Sequence, residues 1–300
     1  MTDSSLLCIV NSRIDKITCL ENTRTHLLFI QRDDLIHPII AGNKWRKLNR
    51  SIAYALENNV SGILTYGGAF SNHLIATAEA CRLFDLPCTL MVRGEELCVD
   101  SNPYLAYCHR ANAQLSFVNR SDYKALKSRE GIVDVNGKRF LSIPEGGANR
   151  LGVEGCMDMV HSSEDYNVMA LAQGTTTTSL GLLLGSHPSC EIWCFPVLKE
   201  FDSYREMENL AKKTGFLDAF HQQRHRLTVF DQHHLGGYAK QQDVVMRRCE
   251  HLSLEPKITF DPIYTGKAFL GLLHEMRQRD LANKKVLFIH TGGVRAKELL

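Results

Sequence analysis

Residues 62–73, GILTYGGAFSNH, read as a strand that breaks on a glycine pair and turns straight into a helix. Ile63 to Tyr66 is an aliphatic, β-branched and aromatic run of the kind that fits a buried strand. Gly67 and Gly68 allow a tight turn and a close approach of backbone to a ligand. Ser71 and Asn72 then set polar groups at the start of a helix that continues to Phe84. A site lies at that turn, or Ser71 merely caps the helix.

The same alternation recurs outward from this point. Apolar runs at Gly62–Tyr66, Cys88–Val92, Leu115–Val118, Phe140–Ile143, Val168–Ala172, Ile192–Val197, Leu227–Phe230 and Val286–His290 predict strands. Between them, Asn72–Phe84, Tyr204–Thr214, Ala239–His251 and Gly266–Gln278 carry apolar residues at three- and four-residue steps and predict helices. Strands alternating with helices imply an α/β fold with mostly parallel sheet and helices on both faces. Three hundred residues exceed what one ordinary core needs, so two lobes sharing a cleft are expected. The glycines at 146 and 147 mark the break: about four strands within residues 48–147 form a smaller lobe, and residues 1–47 with 148–300 form a larger one.

With 44% apolar and 23% charged residues the chain has the balance of a globular protein with a substantial core. A formal charge of +2 gives no reason to expect a nucleic-acid or membrane-surface partner. The opening MTDSSLLCIVNSRID lacks the basic and apolar regions of a secretion signal, and no window reaches the length of a membrane span. Ten cysteines without a CxxC pair read as free thiols in a reducing cytoplasm.

Two further stretches bear on chemistry. In Gly42-Asn43-Lys44-Trp45-Arg46-Lys47-Leu48, Asn43 is a candidate N-cap ahead of a helix through Leu48, Ile52 and Leu56. Lys44 and Lys47, one turn apart, then share a face: one amine can attack an aldehyde while the other neutralises a phosphate. From spacing alone the commoner reading is a solvated basic face. In Leu171-Ala172-Gln173-Gly174-Thr175-Thr176-Thr177-Thr178-Ser179, a strand ends on hydroxyls at a helix start, a setting that holds a dianionic phosphate or is only a polar turn. No Walker lysine follows and the GxGxxG spacing is missing, so nucleoside triphosphate and NAD are disfavoured.

Taken together, GNKWRKL, GGAFSNH, PEGGANRLG, GTTTTSLG, GGYAK, DPIYTGKA and HTGG occur in an order that resembles the 1-aminocyclopropane-1-carboxylate deaminase and D-cysteine desulfhydrase family, over residues 42 to 293. The resemblance implies the tryptophan-synthase-β-like fold (pyridoxal-phosphate fold type II) and pyridoxal 5'-phosphate held by Lys44 as a Schiff base. It implies that Asn72 meets the ring oxygen, that Lys47 and Gly174, Thr175, Thr176, Thr177 and Thr178 take the phosphate, and that Thr291 faces the pyridine nitrogen. Ser71 would hold the substrate carboxylate or act as a nucleophile, with Tyr238 and Tyr264 near the reacting carbons. A small amino-acid substrate and a homodimer follow from the same likeness.

Four departures shape the expected activity. Thr265 stands where ring-opening deaminases carry glutamate; a hydroxyl beside the ring nitrogen suits β-elimination to pyruvate, ammonia and sulfide. Phe70 replaces a glutamine and makes the pocket more apolar. The phosphate loop holds threonines where relatives hold glycines, and the chain ends seven residues after Gly293, so pocket closure is expected to differ. Competing readings are cyclopropane opening, β-replacement or racemisation on the same fold, a pyridoxal-phosphate-binding pseudoenzyme, and a metal protein built on His221, His225, His233 and His234, of which the first two lie one turn apart.

Overall fold

β3 (Gly62–Gly68) is the centre of a five-stranded sheet ordered β5 (Gln114–Val118), β4 (Cys88–Arg93), β3, β7 (Lys138–Ile143), β6 (Gly131–Val135). Its first four strands run parallel and β6 pairs antiparallel to β7. The computed structural model describes residues 12–19, 27–40, 42–159, 165–279, 281 and 283–292, so the expectations about the first residues and about the stretch after Gly293 fall outside the described residues.

Five strands, not four, therefore lie within residues 48–147. The extra one, β6, is joined to β7 by Asn136-Gly137, both at positive φ (55° and 78°), the combination that closes a two-residue hairpin.

The second sheet has seven strands, ordered β10 (Leu227–Val229), β9 (Glu191–Pro196), β8 (Val168–Gln173), β12 (Lys285–Ile289), β2 (Leu27–Gln31), β1 (Ile14–Cys19), β11 (Leu254–Glu255). The five from β10 to β2 are parallel, and β1 is antiparallel to both of its neighbours. Two mostly parallel sheets flanked by helices make this an α/β protein, as the strand and helix alternation predicts.

Strand periodicity explains the continuous apolar runs of the larger sheet. Val168, Ala170, Val286 and Phe288 face one core with Phe269 and Leu272 of α10 (Thr265–Gln278). Met169, Leu171, Leu287 and Ile289 face the other, with Leu180 and Leu183 of α6 (Thr177–Gly185). Alternate residues point to opposite faces and both faces are covered, so no position is left for a polar stripe.

α1 (Asn43–Glu57) joins the two halves. Its Trp45, Leu48, Ile52 and Ala55 are buried in one core with Ile63, Leu90 and Ile143 of the smaller sheet and Leu74 of α2 (Asn72–Leu83). Its first turn is tied to the larger sheet: Asn43 N–H donates to the Thr291 carbonyl at 3.2 Å, just past β12. Arg46 donates from Nε and Nη2 to Asp33, just past β2, at 3.0 and 2.9 Å, a fully buried pair. The N-cap is Gly42 rather than Asn43. Its φ of +61° and a would-be Cβ only 1.8 Å from the Thr291 oxygen exclude any side chain. On the opposite side Gly155 of α5 (Arg150–Met157) lets that helix close on α1, since a Cβ there would lie 2.0 Å from the Arg46 carbonyl oxygen.

The helix expected from Ala239 begins only at Gln242, as α9 (Gln242–Glu250). Ala239 and Gln241 sit at φ 54° and 58°, a left-handed backbone that cannot continue a right-handed helix.

Candidate active site

The loops that follow the carboxyl ends of β3, β8 and β12 meet the start of α1 around a cleft of about 480 Å³, the usual place for a ligand on a parallel sheet. Lys44, Ser71, Asn72, Gly174, Thr175, Tyr238, Tyr264 and Thr291 all line it, although they are spread over more than two hundred residues of sequence.

Lys44 is the amine of this cleft. Its Nζ donates to Asn43 Oδ1 at 2.9 Å, and Asn43 Nδ2 donates in turn to Thr178 Oγ1 at 2.9 Å. Burial, with the neighbouring Lys47 charge adding to it, brings Lys44 from 10.5 down to about 7. Near neutral pH a large fraction is therefore free amine, the form that attacks a carbonyl.

Lys47 lies behind the cleft rather than in it. It is 1% exposed, and its Nζ donates to Thr175 Oγ1 at 3.0 Å and to the Gly146 carbonyl at 3.3 Å. Its charge reaches the threonine turn through Thr175. Burial lowers its pKa as well.

The threonine turn splits by position. Gly174 and Thr175 face the cleft. Thr176 is the N-cap residue of α6 without a capping side-chain bond, and Thr178 is spent on Asn43. Thr177 is wholly buried and its Oγ1 has no hydrogen-bond partner. An orphaned hydroxyl on the first turn of a nine-residue helix, with an ammonium behind the same turn, is a donor set waiting for an anion. Beneath it Gln173 donates to Ser179 Oγ at 2.8 Å and accepts from Ser203 Oγ, which fixes the turn from below.

Ser71 is the N-cap residue of α2, yet its side chain makes no capping bond and it lines the cleft. The capping explanation for this serine therefore fails. Next along, His73 is buried against Thr65, whose hydroxyl hydrogen goes to the Ile143 carbonyl at 2.7 Å, so His73 Nε2 must donate to Thr65 Oγ1 at 2.9 Å. Burial and the charges of Lys44 and Lys47 push this imidazole down to about 3, which keeps it neutral. Phe70, 68% exposed, sits at the mouth edge-on to Tyr104 and supplies the apolar wall expected of it. Arg93 at the end of β4 and Glu145 also line the cleft; the carboxylate accepts from Tyr123 Oη at 2.7 Å and pairs with Lys127 at 3.3 Å.

The sequence DPIYT is a helix-start device. Asp261 Oδ1 accepts the amides of Ile263 and Tyr264, and Oδ2 accepts the amide and the hydroxyl of Thr265. This carboxylate fixes Tyr264 at the N-cap of α10, where the ring covers Gly174 and meets Tyr238 edge-on at 5.8 Å. Burial and the Tyr238 phenol push Tyr264 above its ordinary value, so it stays protonated. Thr265, expected beside a ring nitrogen, does not line the cleft: its hydroxyl belongs to Asp261 at 2.6 Å.

The four histidines considered for a metal have separate surroundings. His221 faces Glu208, His225 faces the Gln222 carbonyl, His233 faces Glu275 and His234 accepts the Gly236 amide. Among the described residues no three His, Cys, Asp or Glu side chains converge as metal ligands would.

Three residues in or around the cleft carry contacts that the sequence pattern did not indicate. Asn43 was read as a cap, whereas its amide links the amine to the threonine turn. His73 and Lys267 were not singled out; that each is an ionisable residue embedded in an apolar helical pattern was the available signal.

The family described as "Pyridoxal-phosphate dependent enzyme" matches residues 11–292. A bifunctional D-cysteine desulfhydrase/1-aminocyclopropane-1-carboxylate deaminase of Arabidopsis thaliana is 27% identical over 89% of this chain and 72% of its own length. A D-cysteine desulfhydrase of Yersinia pestis is 28% identical over 94% of this chain and 91% of its own. Among solved structures, an ACC deaminase homologue superposes with a TM-score of 0.72 at 24% identity, covering 97% of this chain and 94% of that one.

Proposed function

The chain belongs to the pyridoxal-phosphate-dependent enzyme family, on the branch of 1-aminocyclopropane-1-carboxylate deaminases and D-cysteine desulfhydrases, and on that premise we propose that it eliminates the β-substituent of a small amino acid such as D-cysteine. Sulfide leaves, and water converts the remaining three-carbon enamine to pyruvate and ammonia.

The residues fit the cofactor. Lys44 offers an amine whose pKa is brought down to about 7, while the α6 turn with the orphaned Thr177 hydroxyl, backed by Lys47, suits its phosphate. When bound, pyridoxal phosphate supplies the conjugated system that takes up the electron pair left when the α-proton departs. In this reading Lys44 would accept that proton at Nζ; its depressed pKa suits a base at neutral pH. Asn43 would hold the free Nζ in place through its Oδ1. Ser71 and the first amides of α2 bind the substrate carboxylate, and a phenol of the Tyr238 and Tyr264 pair protonates the departing sulfur.

The observation that carries elimination over ring opening concerns carboxylates. Among the described cleft-lining residues Glu145 is the only one, and it is committed to Tyr123 and Lys127. The position where ring-opening deaminases carry glutamate holds Thr265, turned onto Asp261. The deciding experiment supplies purified, cofactor-loaded protein with D-cysteine, L-cysteine and 1-aminocyclopropane-1-carboxylate, and assays pyruvate, sulfide and 2-oxobutyrate. Sulfide and pyruvate in equal amounts support the proposal; 2-oxobutyrate formed faster than sulfide overturns it.

The setting belongs to the same proposal: a homodimer in the cytoplasm. Among the described residues Cys81, Cys88, Cys98, Cys108, Cys156, Cys190, Cys194 and Cys249 are free thiols, which supports a reducing compartment. Sedimentation measures the oligomeric state.

A further inference from the structure

The segment bearing Tyr238 is held in a backbone conformation that it would not adopt unaided. Leu235, Gly236, Gly237, Ala239 and Gln241 have φ of 50°, 86°, 107°, 54° and 58°. Three of these carry side chains, for which the left-handed region is unfavourable, and such a run persists only where its surroundings dictate it. Those surroundings are α10. Lys267, 1% exposed, donates from Nζ to the His234 carbonyl at 2.9 Å and to the Gly237 carbonyl at 2.6 Å. Two turns further along the same helix, Glu275 accepts from Gln232 Nε2 at 3.0 Å and from His233 Nε2 at 2.6 Å. Among the described residues Lys267 makes no ion pair; Asp261 acts on it only through space, and its hydrogen bonds go to the two carbonyls. The second of them belongs to the residue immediately before Tyr238. Tyr264, three residues before Lys267, starts the same helix, and the two rings meet at 5.8 Å.

We infer that Lys267 is a positioning residue: by clamping the carbonyls of His234 and Gly237 it holds Tyr238 against Tyr264 at the cleft, where that phenol serves the leaving group. The step rests on the elimination reading. The Cβ–S bond breaks with its electron pair on sulfur, the sulfur takes the phenolic proton, and the phenolate recovers a proton from water. A chloride leaving group departs with its pair and needs no proton.

The test uses the cofactor-loaded protein and Lys267→Met, which keeps an apolar stem and removes the ammonium. Expected are at least tenfold faster amide exchange across residues 235–240 with α2 unchanged, unaltered cofactor absorbance, and at least a tenfold loss of kcat on D-cysteine against less than threefold on β-chloro-D-alanine. Tyr238→Phe should give the same split between substrates, and the double variant should lose no more than either single one. Equal losses on both substrates, additive losses or unchanged exchange at 235–240 would each overturn the inference. Lys267→Gln takes the same measurements if the methionine variant does not fold. Wild-type protein that turns over neither substrate sinks the elimination reading instead; the exchange comparison then decides the clamp alone, faster exchange supporting it and unchanged exchange ending it.

Discussion

Asn43 donates its amide hydrogen to the Thr178 hydroxyl at 2.9 Å, so the first turn of α1 is tied to the first turn of α6 by the residue whose oxygen also receives Lys44. One side chain thus sets the distance between the amine and the anion-binding turn. Asn43→Ala removes both bonds. The tie to Thr178 joins neutral groups and contributes about 0.5–1.5 kcal/mol, so cofactor affinity should fall by roughly two- to tenfold in an absorbance titration of the cofactor-free protein. Unchanged affinity would mean that the tie is incidental.

Lys44→Ala should leave no amine in the cleft to bond the cofactor covalently. After borohydride reduction, mass spectrometry should find the cofactor on Lys44 of the wild type and on no residue of the variant, and turnover should drop by about 10²–10⁴-fold, the range for losing a positioned base. Reductive labelling of the variant within the cleft would contradict the assignment.

The lowered pKa of Lys44 fixes the sign of a pH effect. Protonated amine cannot attack an aldehyde, and the free fraction grows as pH rises through about 7. The rate of covalent cofactor uptake by the cofactor-free protein should therefore climb from pH 6 to about pH 8 and then level off, followed by stopped-flow absorbance. A climb that continues toward the ordinary lysine value of 10.5 would show that burial and Lys47 do not depress this group.

Thr265→Val keeps the shape of the side chain and removes the hydroxyl that Asp261 accepts. Stability should fall by about 1 kcal/mol in denaturant titration, with cofactor absorbance and turnover within threefold of wild type. A spectral shift of the bound cofactor would instead return this hydroxyl to the pyridine ring.

Asp33→Asn leaves Arg46 buried without its counter-charge. Breaking such a pair costs about 3–5 kcal/mol, enough to be plain in the same titration. A loss under about 1 kcal/mol would mean that water or another acceptor reaches the guanidinium.

The readability of the fold divides along physical lines. The eight expected strands are present because parallel strands covered on both faces are continuous apolar runs, as in Val168–Gln173 and Lys285–Ile289. Those missed are edge or antiparallel pieces: β1 and β11 are short or part-polar, and β6 is largely exposed, although the Asn136-Gly137 turn beside it was legible. β2, LLFIQ, is the exception, an apolar run like the others and wedged between β12 and β1. Of the site, Lys44, Ser71, Asn72, Tyr238, Tyr264 and Thr291 share one cleft. What composition and spacing could not supply was side-chain direction. Nothing local to the sequence says that Lys47 lies behind Thr175, that Thr265 turns to Asp261, or that Asn43 reaches across to α6, because each depends on a partner more than three residues away in a different turn or element.

α1 has one flank in the core of the smaller sheet and its first turn pinned to the larger one through Asp33 and Thr291. A small molecule anchored on that turn is thermodynamically linked to how well both halves are assembled. Saturation at a hundred times the dissociation constant raises the unfolding free energy by about 2.7 kcal/mol, and by the same linkage distant damage to either half weakens retention of the ligand. Cofactor absorbance then becomes an assay of integrity: substitutions far from the cleft that loosen either half should lower the absorbance of cofactor-loaded protein before they unfold the chain.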